Sequence, residues 1–378
     1  MNISRRKFAQ LLGAGAAVAV TRPALVLGKP PVKQAATTLD GIVRLSSNEN
    51  PYGPSAKALQ AMTDSFGLAC RYPDALVDSL AEAVAKLNGV SADQILIGDG
   101  SGEILKLSAD VFTGPVTKKG GGVLVVADPT FEAIVYHAEL AGAEVVKVPL
   151  TSSFAHDLEK MGAALKRGLV YLCNPNNPTA SITPKGSVRD FIAAVPNDTM
   201  ILVDEAYFHY ADSPDYESVI PLVQKHPNLL VARTFSKVYG MAGLRCGYCI
   251  GQSFVIEKLR ERQSWDSVNV MAVAAARASL EDDGQVTEGR RMNASTRAFT
   301  VAELEKLGYV SIPSQANFIM FDTKRPVVPL IATLKNQKVE VGRLFRPMPN
   351  HMRLTIGKKA EMEQFLAAFQ GATAGSPA

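Results

Sequence analysis

Short apolar runs recur through the middle of this chain, each followed by a few polar residues and then by a stretch with helical spacing. The runs fall at about 94–97, 123–127, 144–148, 169–173, 200–203, 229–235 and 246–250. Helical patterns separate most of them, at about 103–112, 131–141, 158–166 and 185–195. A strand that is apolar at every position, and not only at every second one, buries both of its faces. Such strands alternating with helices predict an α/β fold in three layers, a mostly parallel sheet between two sets of helices. From about 252 the pattern changes to long helices (252–263, 267–281, 285–307) and then to short strands near 309–312, 317–321, 338–341 and 352–356. That half predicts a second, smaller α+β domain. Upstream, residues 40–54 hold turn formers without a sustained helical period and predict an extended arm. Two helical patterns follow, at about 55–69 and 74–88, separated by Arg71-Tyr72-Pro73-Asp74.

Charge narrows the function classes. The formal net charge of +4 is placed unevenly, because Arg5, Arg6, Lys7, Arg22, Lys29 and Lys33 all precede the first acid, Asp40. The rest of the chain is therefore slightly acidic, which argues against a nucleic-acid partner. Neither the five histidines nor the four cysteines show metal-ligand spacing, so no metal is expected. Cys246 and Cys249 form a C-x-x-C, but inside a strand-like segment whose alternate faces would hold them apart; all four cysteines read as reduced thiols. The amino terminus is a separate object. Ser4-Arg5-Arg6-Lys7-Phe8 precedes an Ala- and Gly-rich apolar run from Leu11 to Val20, too short to span a bilayer as a stable helix. It looks like a twin-arginine export signal, which implies the export machinery as a partner and the periplasm as destination. A disordered basic tail or an ordinary secretion signal remains the alternative. The twin-arginine route carries proteins already folded, which suits a chain that needs no disulfides to fold.

In open parallel sheets, ligands gather beyond the carboxyl ends of the strands. Four such ends here carry unusual chemistry. Lys237 follows the apolar run Leu229–Ala232, within Thr234-Phe235-Ser236-Lys237-Val238-Tyr239-Gly240. Partly desolvated there, its amine has a lowered pKa and suits Schiff-base chemistry. Thr234, Ser236 and Arg245 around it are groups that grip phosphate. Gly98-Asp99-Gly100-Ser101-Gly102-Glu103 opens a helix, where backbone amides can face an anion; a plain strand-to-helix turn is the alternative. Cys173-Asn174-Pro175-Asn176-Asn177-Pro178-Thr179 sets three side-chain amides at the edge, or serves only as a turn. Asp204-Glu205-Ala206-Tyr207 ends an apolar strand in a carboxylate, costly unless it meets a cation or caps a helix. Together these groups fit pyridoxal 5'-phosphate: an amine for its aldehyde, a cradle for its phosphate, a carboxylate for its protonated ring nitrogen, and an amide with a phenol for its ring oxygen.

At this point the chain resembles the class I/II aminotransferases of the fold-type-I pyridoxal-phosphate enzymes, and most closely the histidinol-phosphate aminotransferase group. The motifs that carry the resemblance run over about residues 40–370: SSNENPYGPS (46–55), RYPD (71–74), GDGSGEIL (98–105), NPNNPT (174–179), DEAY (204–207), SKVYGMAGLRCGY (236–248) and MRLTIG (352–357). The resemblance implies that Lys237 carries the Schiff base, that Asp204 pairs with the pyridine nitrogen, and that Asn177 and Tyr207 bind the ring hydroxyl. It implies a phosphate site of Ser101, Gly102, Thr234, Ser236 and Arg245, with Phe131 stacking on the ring. Tyr72 would reach the phosphate of a neighbouring subunit, which implies a homodimer with shared sites. Arg353 would receive the substrate's carboxylate or phosphate, with Arg343, Asn50 and Tyr52 as further substrate contacts.

The same likeness divides the chain into a signal or tail (1–36), an arm (37–60), a large cofactor-binding domain (61–265) and a small carboxyl-terminal domain (266–378). Three positions depart from the family's pattern: Phe131 stands where tyrosine is common, Ala180 where glycine is usual, and the segment from Val341 to Arg353 is short. The last leaves Arg343 and Arg346 either as contacts for another substrate group or as surface arginines. The expected reaction moves an amino group between an amino acid, or an amino-alcohol phosphate, and a 2-oxo acid. Another reaction on the same cofactor (β-elimination, racemisation or decarboxylation) and a non-catalytic binding module are the alternatives.

Overall fold

The computed structural model describes residues 41–115 and 121–374. The twin-arginine segment lies outside them. Seven strands form the central sheet: β2 (Ile95–Gly98), β3 (Val123–Asp128), β4 (Val145–Pro149), β5 (Gly168–Cys173), β6 (Thr199–Asp204), β7 (Leu229–Thr234) and β8 (Gly247–Ile250). Their order is β2-β8-β7-β6-β5-β3-β4, and only β8 runs against the others. The mostly parallel sheet expected from the apolar runs is therefore present.

The pleat shows why those runs are apolar throughout. Val123, Val125, Val170, Leu172, Ile201, Val203, Leu229 and Val231 pack into one core, and the intervening Leu124, Val126, Leu169, Tyr171, Leu202, Leu230 and Ala232 pack into the other. Side chains alternate faces along a strand, so each layer of helices needs its own apolar set. Ile104, Leu105, Leu107 and Ala109 of the helix Gly100–Phe112 cover one face, and Leu80, Val84 and Ala85 of the helix Asp74–Asn88 cover the other. Cys246 and Cys249 fall into the two different cores as free thiols, held apart by the sheet itself.

A third core gathers the remaining elements. Strand β1 (Val43–Leu45), from the arm, pairs in parallel with β10 (Val339–Val341), and β9 (Phe318–Asp322) pairs antiparallel with β11 (His351–Thr355). Phe321, Phe365 and Phe369 pack at its centre. The strand expected near 309–312 reduces to a single bridge between Ser311 and Phe321. Two helices that the sequence pattern had not resolved, Val327–Asn336 and Lys359–Thr373, complete this part. The helix Val270–Leu280 buries Ala272, Val273, Ala275 and Ala276 in the core of the large sheet.

Register positions the site. Gly247 of β8 lies opposite both Gly98 at the end of β2 and Thr234 at the end of β7, and Asp204 lies opposite Cys173. Because β8 is reversed, its beginning, not its end, sits at the edge where the parallel strands finish. That reversal returns Arg245, eight residues beyond Lys237 in the chain, to the same edge.

Candidate active site

A cavity of about 670 Å³ opens along this edge. Of the residues singled out in the sequence, it is lined by Ser101, Gly102, Phe131, Asn177, Asp204, Tyr207, Thr234, Ser236, Lys237, Arg245, Arg343 and Arg353. These come from positions 101 to 353, so only the fold assembles them.

Lys237 Nζ donates to the backbone oxygen of Asn48 at 3.1 Å and stands 5.4 Å from the centre of the Tyr207 ring. Burial, and then the Arg353 guanidinium, lower its pKa to about 8 against the pull of Asp204. A large fraction of the amine is therefore neutral near pH 8, which nucleophilic attack on an aldehyde requires. Asp204 is buried on the cavity floor. Its Oδ2 accepts from the Tyr171 hydroxyl at 2.8 Å, and its Oδ1 accepts from the Ala206 amide at 3.1 Å. Burial raises this carboxyl to about 6, and the Tyr171 hydrogen bond works in the other direction. A carboxylate so placed, with few donors, is stabilised by a cation arriving from the cavity.

The phosphate cradle is built from backbone as much as from side chains. The helix Gly100–Phe112 begins at the cavity, and the Asp99 side chain caps none of its first amides. The Glu103 carboxylate turns back to the Asp99 amide, at 2.7 Å, and to Ser267. Unpaired amides of a first helical turn and the helix dipole together favour an anion. Gly247 permits this approach: a Cβ there would lie 2.4 Å from the Ser101 nitrogen. Arg245 holds a left-handed backbone (φ 60°) that aims its guanidinium at the same place, beside Ser236 Oγ at 3.5 Å and the Asp99 carbonyl at 3.4 Å. A non-glycine residue in that conformation costs on the order of 1 kcal/mol, which the surrounding contacts must supply. Thr234 Oγ1 donates to Ser236 Oγ at 3.0 Å, so the two hydroxyls are already oriented.

On the opposite wall, Asn48 Nδ2 and Asn177 Nδ2 both donate to Tyr207 Oη, at 3.1 and 3.4 Å. Arg353 Nη1 donates to Asn177 Oδ1 at 2.9 Å, Nη2 bonds the Ser46 carbonyl, and its buried Nε has no partner among the described residues. An arginine that meets only carbonyl oxygens is a waiting anion site. Ala180 adopts the left-handed conformation (φ 60°) that a glycine would take, so the substitution keeps the turn's shape.

Three expected residues stand elsewhere. Asn50 and Tyr52 line a separate cleft of about 220 Å³ with Lys358 and Glu361. Asn50 Nδ2 donates to the Val238 carbonyl and its Oδ1 accepts from the Tyr52 amide, and neither residue lines the main cavity. Tyr72 is 79% exposed and touches neither space. Conversely, sequence reasoning passed over Tyr171, Asn48 and Glu132. Tyr171 reads as one more apolar residue of a buried strand, although a tyrosine between aliphatic neighbours needs a partner for its hydroxyl. Asn48 stood inside a quoted motif without a role of its own; its positive φ (54°) points its carbonyl at Lys237.

Comparison with known proteins agrees with this geometry. The sequence profile described as "Aminotransferase class I and II" matches residues 40–369. A histidinol-phosphate aminotransferase of Symbiobacterium thermophilum is 38% identical over 341 residues, covering 88% of this chain and 91% of that one. Among solved structures, a putative histidinol-phosphate aminotransferase of Erwinia carotovora atroseptica superposes with a TM-score of 0.84 at 31% identity, over 88% of this chain and 96% of that one. The histidinol-phosphate aminotransferase of Sinorhizobium meliloti, solved in complex with pyridoxal-5'-phosphate, gives 0.81 at 28% identity over 88% and 90%.

Proposed function

The chain belongs to the class I and II aminotransferases, pyridoxal-phosphate-dependent enzymes, and from that membership we propose the roles of its residues, its substrates and its setting. The donor is an amino acid or an amino-alcohol phosphate of the kind named for the histidinol-phosphate relatives, and the acceptor is a 2-oxo acid. One observation carries the reading: an amine with its pKa lowered to about 8 and a buried carboxylate face the same cavity, beside an uncapped helix start and the Arg245 guanidinium.

The residues fit the cofactor group by group. Ser101, Gly102, Thr234, Ser236 and Arg245 would hold its phosphate, Phe131 would stack on its ring, and Asn177 with Tyr207 would bind its ring hydroxyl. Bound there, pyridoxal phosphate supplies an aldehyde for amino groups and a ring that draws electrons away from the substrate's Cα. Asp204 keeps the proton on the ring nitrogen, and Tyr171 keeps Asp204 in place. Lys237 Nζ moves the Cα proton, a general-base step that its lowered pKa suits near neutral pH. Arg353 receives the substrate's carboxylate or phosphate. The high exposure of Tyr72, outside its own chain's cavity, supports a homodimer in which it serves the partner's phosphate site. Export to the periplasm by the twin-arginine route rests on Ser4-Arg5-Arg6-Lys7-Phe8 and the apolar run after it.

Mixing the purified holoenzyme with single amino acids tests the reaction. Conversion of the cofactor to its pyridoxamine form with release of a 2-oxo acid is expected. Release of ammonia or carbon dioxide in its place would assign a lyase or a decarboxylase.

A further inference from the structure

The mouth of the cavity carries four charges that the proposed chemistry leaves unused. Glu132, Lys335, Glu340 and Arg343 all line it, two cations and two anions. Glu132 directly follows Phe131 and begins the helix Ala133–Leu140 without capping it. Its carboxylate instead reaches across the opening to Arg343 Nη2, a contact between residues far apart in the chain. The Arg343 guanidinium lies 4.5 Å from the centre of the Phe345 ring, and Arg353 lies 5.2 Å from the same ring. One buried ring thus supports two arginines in sequence along the cavity, and they differ in one respect. Arg353, the inner one, has no carboxylate partner among the described residues, whereas Arg343, the outer one, has Glu132.

Two properties of the outer pair bear on its use. Both side chains are 57% exposed, and ion pairs so exposed are weak enough for an arriving anion to displace. The fold also contains the opposite case: Arg233 and Glu205, with side chains 6% and 1% exposed, form a pair that no ligand can reach. The proposed reaction further requires one cavity to take two partners in turn, a donor and an acceptor whose far ends need not carry the same charge. An arginine left without a partner beside an uncharged far end would disfavour that complex.

We propose that Glu132 is a resident anion that occupies Arg343 until a substrate's own anionic terminus, a carboxylate or a phosphate, replaces it. Arg343, expected from the sequence as a substrate contact, then serves the substrate's far end, and Glu132 sets how strongly it favours anionic over neutral substrates. This rests on the aminotransferase reading, with Arg353 holding the near end.

Two matched substrate pairs test it on the holoenzyme: L-glutamate against L-glutamine for a carboxylate terminus, and histidinol phosphate against histidinol for a phosphate terminus. In Glu132→Gln the kcat/KM ratio of anionic to neutral member should rise roughly two- to fivefold, as expected for removing one exposed competing charge. In Arg343→Gln the same ratio should fall, and adding Glu132→Gln to Arg343→Gln should change it no further. Calorimetry with glutarate, which needs no turnover, should show tighter binding to Glu132→Gln. A rise in one pair only identifies which anion the subsite takes. A ratio unaltered in both pairs, or a Glu132→Gln effect that persists without Arg343, overturns the inference while leaving the transaminase reading intact. Failure of the wild-type enzyme to convert any donor would overturn that reading instead.

Discussion

The floor and the mouth of the cavity are built from the same kinds of charge and treat them in opposite ways. At the floor and behind it, Asp204, Tyr171, Glu205 and Arg233 are buried and bonded to one another or to fixed neighbours: Tyr171 to Asp204 at 2.8 Å, Arg233 Nη2 to Glu205 at 2.8 Å, and Ser218 and the Val219 amide to the same Glu205. At the mouth, Glu132 and Arg343 meet in water. Buried charges are costly to strand and so hold the shape of the site, whereas exposed ones are cheap to exchange and so can respond to what arrives. The floor suits a cofactor that stays, and the mouth suits substrates that alternate.

The largest expected effect lies at the floor. Lys237→Ala should lower transamination by more than about a thousandfold and remove the visible absorbance of the bound cofactor, while circular dichroism stays that of a folded protein. Retained activity would break the comparison at its root. Asp204→Ala should follow, lowering kcat by roughly 10²–10⁴, because no carboxylate then holds the proton on the ring nitrogen.

Behind the floor, Arg233→Ala should destabilise the fold by about 3–5 kcal/mol, read from chemical denaturation, since it leaves Glu205 buried and unpaired. A loss below about 1 kcal/mol would mean that the buried pair is as replaceable as the exposed one.

Titration sharpens the contrast further. In the apo protein, the rate of cofactor capture should rise with pH through about 8, as Lys237 loses its proton, and level off above it. Removing a neighbouring cation raises a lysine's pKa, so Arg353→Gln should move that midpoint upward. Asp204, raised to about 6 by burial, must be ionised to pair with the ring, so cofactor affinity should fall as pH drops through about 6. Tyr171→Phe removes a hydrogen bond to the ionised form and should shift that fall to higher pH, costing roughly three- to tenfold in affinity at pH 6 and less at pH 8. The smallest effect belongs to the mouth: Arg343→Gln should change stability by less than about 1 kcal/mol in thermal unfolding.

Much of this was legible in the chain. The continuous apolar runs identified the sheet, because a strand covered on both sides has no polar face to show. The four polar clusters at strand ends identified the edge that matters, and twelve of the residues singled out beforehand line one cavity. What escaped was of one kind. The Tyr171 hydroxyl, the Asn48 carbonyl and the Glu132 carboxylate are ordinary in their local windows and acquire meaning only from partners at Asp204, Lys237 and Arg343. Asn50 and Tyr52 show the converse, since they belong to a motif in sequence but to a separate cleft in space.

The amino-acid order by itself determined the layered fold and which strand ends carry reactive groups, because both follow from periodicity and from residue type over short stretches. Tertiary structure alone decided which of those groups touch. Strand register set Asp204 beside Cys173, and the reversal of β8 brought Arg245 back toward Lys237. Packing of the third core against the sheet carried Arg343 and Arg353 to the cavity. Contact, burial and a shifted pKa are properties of neighbours, and distant neighbours exist only once the chain has folded.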